Sequence, residues 1–485
     1  MSSVESRPQG NRKLYIGGQW IDSFSTGEIP MVNPATDEVF AYAPDTTIQD
    51  ADRAIAAARQ AFDEGPWPRM APTERLACLQ RLSDLYSDKY EDIAQLITAE
   101  IGSPIMFSRH AHVPIAKMML DYYVGLAKDY PFEETREGRS LAARVIKEPV
   151  GVCVAIAPWN FPQAAMMLKL APALIAGCTV VAKPGSETAQ DALAMAELFD
   201  AAGFPPGVVS ILPAGREVGE YLVSHRDVDH VSFTGSTASG RRVAEICGRD
   251  LRRCNLELGG KSALIMLDDA DLKKAVKGVW DQGMRNSGQA CTNQTRILVP
   301  RALYGDVLAA ITEMIGKIVV GDPLDPATQV GPVASQAQYD RVMNYIRIGK
   351  EEGARVTVGG GRPQGMAVGR FIEPTVFGDV NNSMRIAREE IFGPVLAVIP
   401  FDDDADAVRI ANDSEYGLAG GVWSKDLARA DSVVRRIRSG MLHINGVGGS
   451  FDAPFGGFKA SGLGRESGRE GLETYFEYKS LPLLG

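Results

Sequence analysis

Apolar positions recur along this chain at two different periods, and the change of period divides it. Between Ile48 and Glu64, Ala51, Ala54, Ile55, Ala58, Ala61 and Phe62 fall three and four apart, which puts them on one face of a helix. Thr47 can cap its start, and Gly65-Pro66 stops its end. A second helical pattern starts near Thr73 with Leu76, Leu79, Leu82, Leu85 and Tyr86 on one face. It runs on until Gly102 and Pro104. Ahead of both, a short strand is predicted near Leu14–Ile16.

From Val150 the pattern becomes short β-branched runs separated by helices, each run ending in small or polar residues. This is the punctuation of βαβ units. The predicted strands are Val150–Ile156, Thr179–Ala182, Val208–Leu212 and His230–Thr234, with another near Asn255–Leu258. The helices between them are Ala164–Ala176, Glu187–Ala202 and Ser239–Cys247. Right-handed crossovers then give a parallel sheet. A second α/β set follows, with strands near Ile297–Val299, Val395–Ile399, Ala419–Trp423 and Met441–Asn445 and helices near Leu303–Val319 and Leu427–Arg438. Ligands of an open parallel sheet lie beyond the carboxyl ends of its strands. Trp159 and Asn160, Lys183, Gly235-Ser236 and Glu257 each follow or end a different predicted strand, so four strand ends offer polar groups to one crevice.

Composition narrows the class. A length of 485 residues is enough for about three domains with ample core. Six cysteines are scattered without CxxC pairs, and His110 and His112 would point apart on a helix, so neither a disulfide framework, a zinc site nor another metal site is indicated. A reducing, cytoplasmic setting fits those cysteines. A net charge of −10 argues against a nucleic-acid surface. The polar stretch Met1–Lys13 lacks the apolar core of a signal peptide, and Lys169, Pro172 and Gly177 interrupt the apolar run Ala164–Ala182, so no membrane span is expected.

Cys291 is the strongest candidate for chemistry. It lies in Asn286–Asn293, NSGQACTN, whose small polar residues leave a thiol approachable; the same string also fits an ordinary loop cysteine. Thiolate attack on a carbonyl creates an oxyanion that needs preorganised donors. Asn160, held in Pro158-Trp159-Asn160-Phe161-Pro162, can supply an amide or simply serve a turn. Glu257, before Gly259-Gly260-Lys261, can activate a water or face solvent. Glu390, before Ile391-Phe392-Gly393-Pro394, can accept hydrogen bonds from a sugar or begin a turn. Gly235-Ser236-Thr237 ahead of a helix with Gly240 in its first turn suits a pyrophosphate. GLGRESG, with Gly462, Gly464 and Gly468, has the wrong spacing for a dinucleotide fingerprint and reads as a loop.

Taken together, PWNFP at 158–162, FTGST at 233–237, ELGGKS at 257–262, GQAC at 288–291, EEIFGPV at 389–395 and PFGGFKASGLGRE at 454–466 resemble the aldehyde dehydrogenase superfamily, in order, from about Tyr15 to the C-terminus. The resemblance implies an α/β fold with a Rossmann-like parallel-sheet cofactor domain (1–125 and 149–259), an α/β catalytic domain (260–460) and a small β-flap for oligomerisation (126–148 and 461–485). It implies an aldehyde substrate, NAD or NADP as cofactor, and a homodimer or homotetramer. Cys291 would be the nucleophile, Asn160 an oxyanion donor and Glu257 the base for hydrolytic water. Glu390 would hold the nicotinamide ribose, Lys183 the adenosine ribose, Trp159 and Ser236 the phosphates, and Phe392 the nicotinamide side, with Asn445 supporting the site. Phe161 and Phe455 match apolar tunnel positions, and Arg285 can approach the tunnel mouth or face solvent. One departure concerns the cofactor: where the family commonly reads KPSE, this chain reads Lys183-Pro184-Gly185-Ser186-Glu187. Ser186 takes the place of the usual ribose-binding glutamate, so discrimination against NADP should be weakened. Two other readings compete: a coenzyme A-acylating relative, which Glu257 disfavours, and a non-catalytic protein that keeps the fold, which the intact Cys291, Glu257 and Asn160 disfavour.

Overall fold

The computed structural model describes residues 10–139 and 141–483; most of the polar N-terminal stretch read above lies outside them. Eight strands form the first sheet, in the order Gly462–Leu463, Arg253–Glu257, His230–Thr234, Val152–Ile156, Thr179–Lys183, Val209–Ile211, Leu14–Ile16 and Gln19–Ile21. The five strands from Arg253–Glu257 to Val209–Ile211 are parallel, and the outer ones are antiparallel. Both faces are covered, so the strands read as apolar runs rather than alternations. Val152, Val154 and Ile156 enter one core with the helices Ile48–Asp63 and Thr237–Arg249. Cys153 and Ala155 enter the other, with Pro72–Asp88, Val113–Lys128 and Pro162–Ala176.

Strand order creates the crevice. The chain steps outward from Val152–Ile156 to Thr179–Lys183 and Val209–Ile211, then returns to lay His230–Thr234 on the opposite side of Val152–Ile156. Connections therefore leave these two central neighbours in opposite directions, which opens a cleft beyond their carboxyl ends. Trp159, Asn160, Gly235 and Ser236 follow those two ends directly.

The second sheet runs Arg355–Val358, Thr375–Gly378, Val395–Phe401, Arg296–Pro300, Ala263–Met266, Ala419–Trp423 and Met441–Ile444, parallel except for its first strand. A three-stranded antiparallel sheet, Phe476–Pro482, Ala143–Pro149 and Glu133–Arg136, stands apart from both.

Several expectations sharpen. Thr47 does cap the first helix: its hydroxyl accepts from Asp50 N at 3.2 Å while the Asp50 carboxylate accepts from Thr47 N at 2.9 Å. The long helical region from Thr73 is in fact two helices, Pro72–Asp88 and Tyr90–Ile101, closed by Gly102 at φ 70°. The helix expected from Glu187 starts at Ala189, because Ser186–Thr188 forms a 3₁₀ turn. The apolar run 164–182 divides between the helix Pro162–Ala176 and the strand Thr179–Lys183, and among the described residues no helix is long and apolar enough to cross a membrane. GLGRESG is more than a loop: Gly462–Leu463 adds an antiparallel edge to Arg253–Glu257, with Gly462 opposite Glu257.

Candidate active site

Cys291 sits in the link between the helix Leu272–Gly283 and the strand Arg296–Pro300. The link turns through three consecutive left-handed residues, Asn286, Ser287 and Gly288, at φ 52°, 55° and 79°. Two of these are not glycine, so tertiary contacts must hold them there. Ser287 Oγ accepts from Gly331 N at 3.0 Å, and Gln289 Oε1 accepts from Ala334 N at 3.0 Å. Gly288 can only be glycine: a Cβ there would lie 2.1 Å from the carbonyl carbon of Gly393. The thiol loop is thereby packed against the segment that carries Glu390 and Phe392.

Asn160 is buried and tied to this loop from both ends. Its Nδ2 donates to Gln289 O at 2.9 Å, and its own carbonyl accepts from Asn286 Nδ2 at 2.8 Å. One N–H of the carboxamide is committed to the loop, and the other can serve a developing oxyanion.

The double glycine of ELGGKS has a specific reason. A Cβ on Gly259 would lie 2.2 Å from Glu390 Oε2, and one on Gly260 would lie 2.8 Å from the Cys291 carbonyl oxygen. Glu390 also accepts from Gly260 N at 3.1 Å. Glu257 is 2 % exposed, neither of its carboxylate oxygens has a hydrogen bond, and a Cβ on Gly456 would come within 2.6 Å of its Oε1. Three glycines thus make room for two carboxylates and the Cys291 backbone in one place.

Burial sets the charge states. It pushes the Cys291 thiol up to about 12, helped by the negative charges of Glu390 and Glu257, while the backbone N–H groups of Cys291 and Thr292 favour the thiolate. Burial also lifts Glu390 to about 6, against the pull of Gly260 N–H, Arg341 and Lys261. Glu257 is raised well above the usual carboxylate range by burial and then by Glu466, with Lys169 and Arg465 opposing. A carboxylate that holds its proton so firmly is a strong base once ionised.

Around the cleft, Trp159 meets Phe392 edge-on, with ring centroids 5.6 Å apart at 86°. Phe392 is left-handed at φ 64° and its carbonyl accepts from Gln338 Nε2 at 2.6 Å. Gly235 N donates to Glu257 O at 3.0 Å, linking two neighbouring strand ends. Ser236 caps the helix Thr237–Arg249 by accepting from Ser239 N at 3.2 Å, so that helix begins directly after the strand end at Thr234. Gly240 lets the helix approach closely, since a Cβ there would meet Leu258 Cδ2 at 2.4 Å. Lys183 is buried, held down to about 8 by desolvation with Glu187 opposing, and its Nζ donates to Pro184 O at 2.8 Å. Ser186 Oγ donates to Glu187 Oε2 at 3.3 Å, and the charge of this late glutamate favours the Lys183 cation. Asn445 bridges strand ends instead of reaching the thiol: its Oδ1 accepts from Ser424 N at 3.0 Å and its Nδ2 donates to Ser424 O at 2.9 Å.

Two residues escaped the sequence reading. Lys169 is completely buried and forms an ion pair with Glu466 of GLGRESG; its Nζ also donates to Thr234 Oγ1 at 2.7 Å. Glu466 in turn is the charge that most opposes ionisation of Glu257 after burial itself. A lysine in the middle of an apolar helix was the available signal, because such a charge must be paired.

The model of the aldehyde dehydrogenase family matches residues 20–481, and the chain belongs to that family. More particularly, it is 45% identical to the geranial dehydrogenase of Castellaniella defragrans, over 98% of this chain and 99% of that one. It is 43% identical to a 3-succinoylsemialdehyde-pyridine dehydrogenase of a Pseudomonas species, over 97% and 98%. Among solved structures, it superposes on a Mycobacterium tuberculosis aldehyde dehydrogenase complexed with NAD+ with a TM-score of 0.96 at 45% identity, covering 99% of each chain. An aldehyde dehydrogenase mutant from Pseudomonas syringae, complexed with NAD+ and octanal, gives 0.95 at 42% identity, covering 99% and 98%.

The thiol's charge state is directly testable. In the ligand-free protein, alkylation of Cys291 by iodoacetamide, followed by peptide mass spectrometry, should be slow near neutrality. It should accelerate about tenfold per pH unit between about pH 7 and 9, because the thiolate fraction grows at that rate below the thiol's pKa. Glu390→Gln removes a negative neighbour and should raise the rate at about pH 8. A plateau reached below about pH 8 contradicts this reading of the site.

Proposed function

We propose that Cys291, Asn160 and Glu257 carry the aldehyde oxidation performed by this NAD-dependent aldehyde dehydrogenase, with a free carboxylic acid as product. The observation that supports this most is the convergence on one cleft of a thiol, a carboxamide anchored to the thiol's own loop, and a buried carboxylate with both oxygens unpartnered. Cys291 releases its proton to solvent and its sulfur bonds to the aldehyde carbon as the C=O π pair moves to oxygen, where the second N–H of Asn160 and the Cys291 backbone N–H receive the charge. NAD, when bound, accepts the hydride that leaves this carbon. Glu257 then takes a proton from water as the water's oxygen attacks the thioester carbon, and the C–S bond breaks to release the acid and restore the thiolate. Glu257 must lose its own proton first, and Glu466 with Lys169 lies beside it to influence that loss.

The residues present suit a dinucleotide. Trp159, Gly235 and Ser236 would line the pyrophosphate at the helix N-terminus, and Lys183 and Ser186 the adenosine ribose. Glu390 and Phe392 would lie at the nicotinamide end. Residues 1–125 and 149–259 would act as the cofactor unit and 260–460 as the catalytic unit. Phe161 and Phe455 favour an apolar aldehyde, in keeping with the octanal and geranial named for relatives. Arg285 is half-buried with its Nε on Asp281 O at 2.9 Å, an arrangement that leaves the apolar preference standing. The three-stranded sheet ends in the exposed edge Phe476–Pro482, with Leu141, Tyr478 and Leu483 exposed nearby, which favours a homodimer or a dimer of dimers covering it. A cytoplasmic location is in keeping with six free cysteines.

Cys291→Ala should abolish aldehyde-dependent reduction of NAD while leaving the dissociation constant for NAD, measured by calorimetry, within about threefold of wild type. Turnover like that of wild type would overturn the assignment of the nucleophile.

The cofactor preference follows from the Ser186-Glu187 register. A carboxylate at the ribose repels the additional phosphate of NADP, and here Glu187 stands one residue late, its charge favouring the Lys183 cation. NAD should be preferred by kcat/KM, but by less than about a thousandfold, some 4 kcal/mol. Ser186→Glu should widen the ratio by roughly one to two orders of magnitude through restored charge-assisted hydrogen bonds. A ratio already above about a thousandfold would show that Glu187 fully supplies the missing contact.

A further inference from the structure

Residues 108–112 form a single π-helical turn between the short helix Ile105–Phe107 and the helix Val113–Lys128. Such turns re-aim side chains and concentrate at functional sites. This one leaves His110 exposed and drives His112 inward to 1 % exposure. The imidazole is clamped there. Phe161, the residue after Asn160, lies 4.7 Å from it at 50°, and Phe107 meets it edge-on at 5.2 Å. Ser103 Oγ is 3.1 Å from its Nε2.

The other ring nitrogen faces the nucleophile loop. Nδ1 of His112 and Oδ1 of Asn286 are both buried without a hydrogen-bond partner, and the Asn286 carboxamide favours the ring's protonated form. Burial nonetheless holds the imidazole down to about 3, so it is neutral under working conditions and carries one N–H. With Ser103 donating its hydroxyl proton to Nε2, that single N–H is at Nδ1, and a bond from it to Asn286 Oδ1 would satisfy both orphaned atoms together. Asn286 is then oriented: Oδ1 toward the histidine and Nδ2 toward Asn160 O, where the bond of 2.8 Å is observed. The imidazole N–H would reinforce the orientation that Asn160 O already favours, since a flip would set Oδ1 against that carbonyl and Nδ2 against a second donor.

We propose that His112 is a positioning residue for the oxyanion-binding carboxamide of Asn160, acting through Asn286 from behind the nucleophile loop. The inference rests on the reading of Asn160 as the oxyanion donor. His112 touches neither the reacting carbon nor the sulfur, so its effect should fall on kcat and leave cofactor binding alone.

The test compares two substitutions. His112→Leu fills much of the space without a donor, whereas His112→Asn restores an N–H near the position of Nδ1. His112→Leu should lower kcat at least about tenfold, part of the 10²–10³ that loss of an oxyanion donor costs, with the dissociation constant for NAD unchanged. His112→Asn should recover most of that loss. In an Asn160→Ala background, His112→Leu should cost little more, because the two act on one interaction. Ser103→Ala, the mildest change, should lower kcat in the same direction by freeing the ring tautomer, and it serves if His112→Leu does not fold. Equal losses in His112→Leu and His112→Asn, full additivity with Asn160→Ala, or unchanged kcat in both His112→Leu and Ser103→Ala would each overturn the inference. An Asn160→Ala enzyme with nearly wild-type kcat would instead overturn the underlying assignment of Asn160, a result that the His112 variants cannot imitate.

Discussion

The closest approach at the site, Gly288 against Gly393 and Pro394, is the contact on which the rest depends. With 2.1 Å between a hypothetical Cβ and the Gly393 carbonyl carbon, no side chain is possible without separating two loops. One of those loops carries the thiol and the other carries Glu390 and Phe392. The left-handed run at Asn286–Gly288 is the price of that approach, held by Ser287 on Gly331 and Gln289 on Ala334. From the same run, Asn286 and Gln289 reach across to Asn160 on the first sheet. A backbone fit between two loops of the second sheet therefore sets the geometry between the thiol of one sheet and the Asn160 carboxamide of the other.

That packing concentrates groups that resist ionisation together. Cys291, Glu257 and Glu390 are all shifted toward their neutral forms by burial, and each negative charge opposes the thiolate. In the ligand-free site the thiol and Glu257 thus hold their protons, which leaves the nucleophile chemically quiet. A cationic group entering the cleft would reverse the balance, favouring the thiolate and the carboxylates at the same time. Behind Glu257, the buried Lys169–Glu466 pair is costly to desolvate and is retained where it bears on that carboxylate's proton.

Much of this was legible in the sequence, for identifiable reasons. The parallel strands of the first sheet are apolar runs bounded by small residues, so His230–Thr234 was read to the residue and its neighbours nearly so. Polar residues at strand ends then pointed to one cleft without any structure. What escaped were relations between distant segments. Lys169 and Glu466 are 297 positions apart, and neither string names the other. The strand Ala263–Met266 follows Glu257 so closely that one sheet could not be told from the next, and nothing in the string Gly259-Gly260 announces that these glycines make room for Glu390 and Cys291. The inward turn of His112 depends on a π-helical register that no periodicity announces.

The proposed division of labour has Cys291 form the thioester and Glu257 deliver water to it. Rapid mixing of a Glu257→Gln enzyme with NAD and aldehyde separates the two. A burst of reduced cofactor close to one equivalent per active site should survive, followed by turnover slowed by about 10²–10⁴, the usual worth of a positioned base. Intact-mass spectrometry of the quenched enzyme should then show the acyl group on Cys291. A variant that turns over at the wild-type rate, or one that loses the burst along with turnover while still binding NAD, would contradict the account.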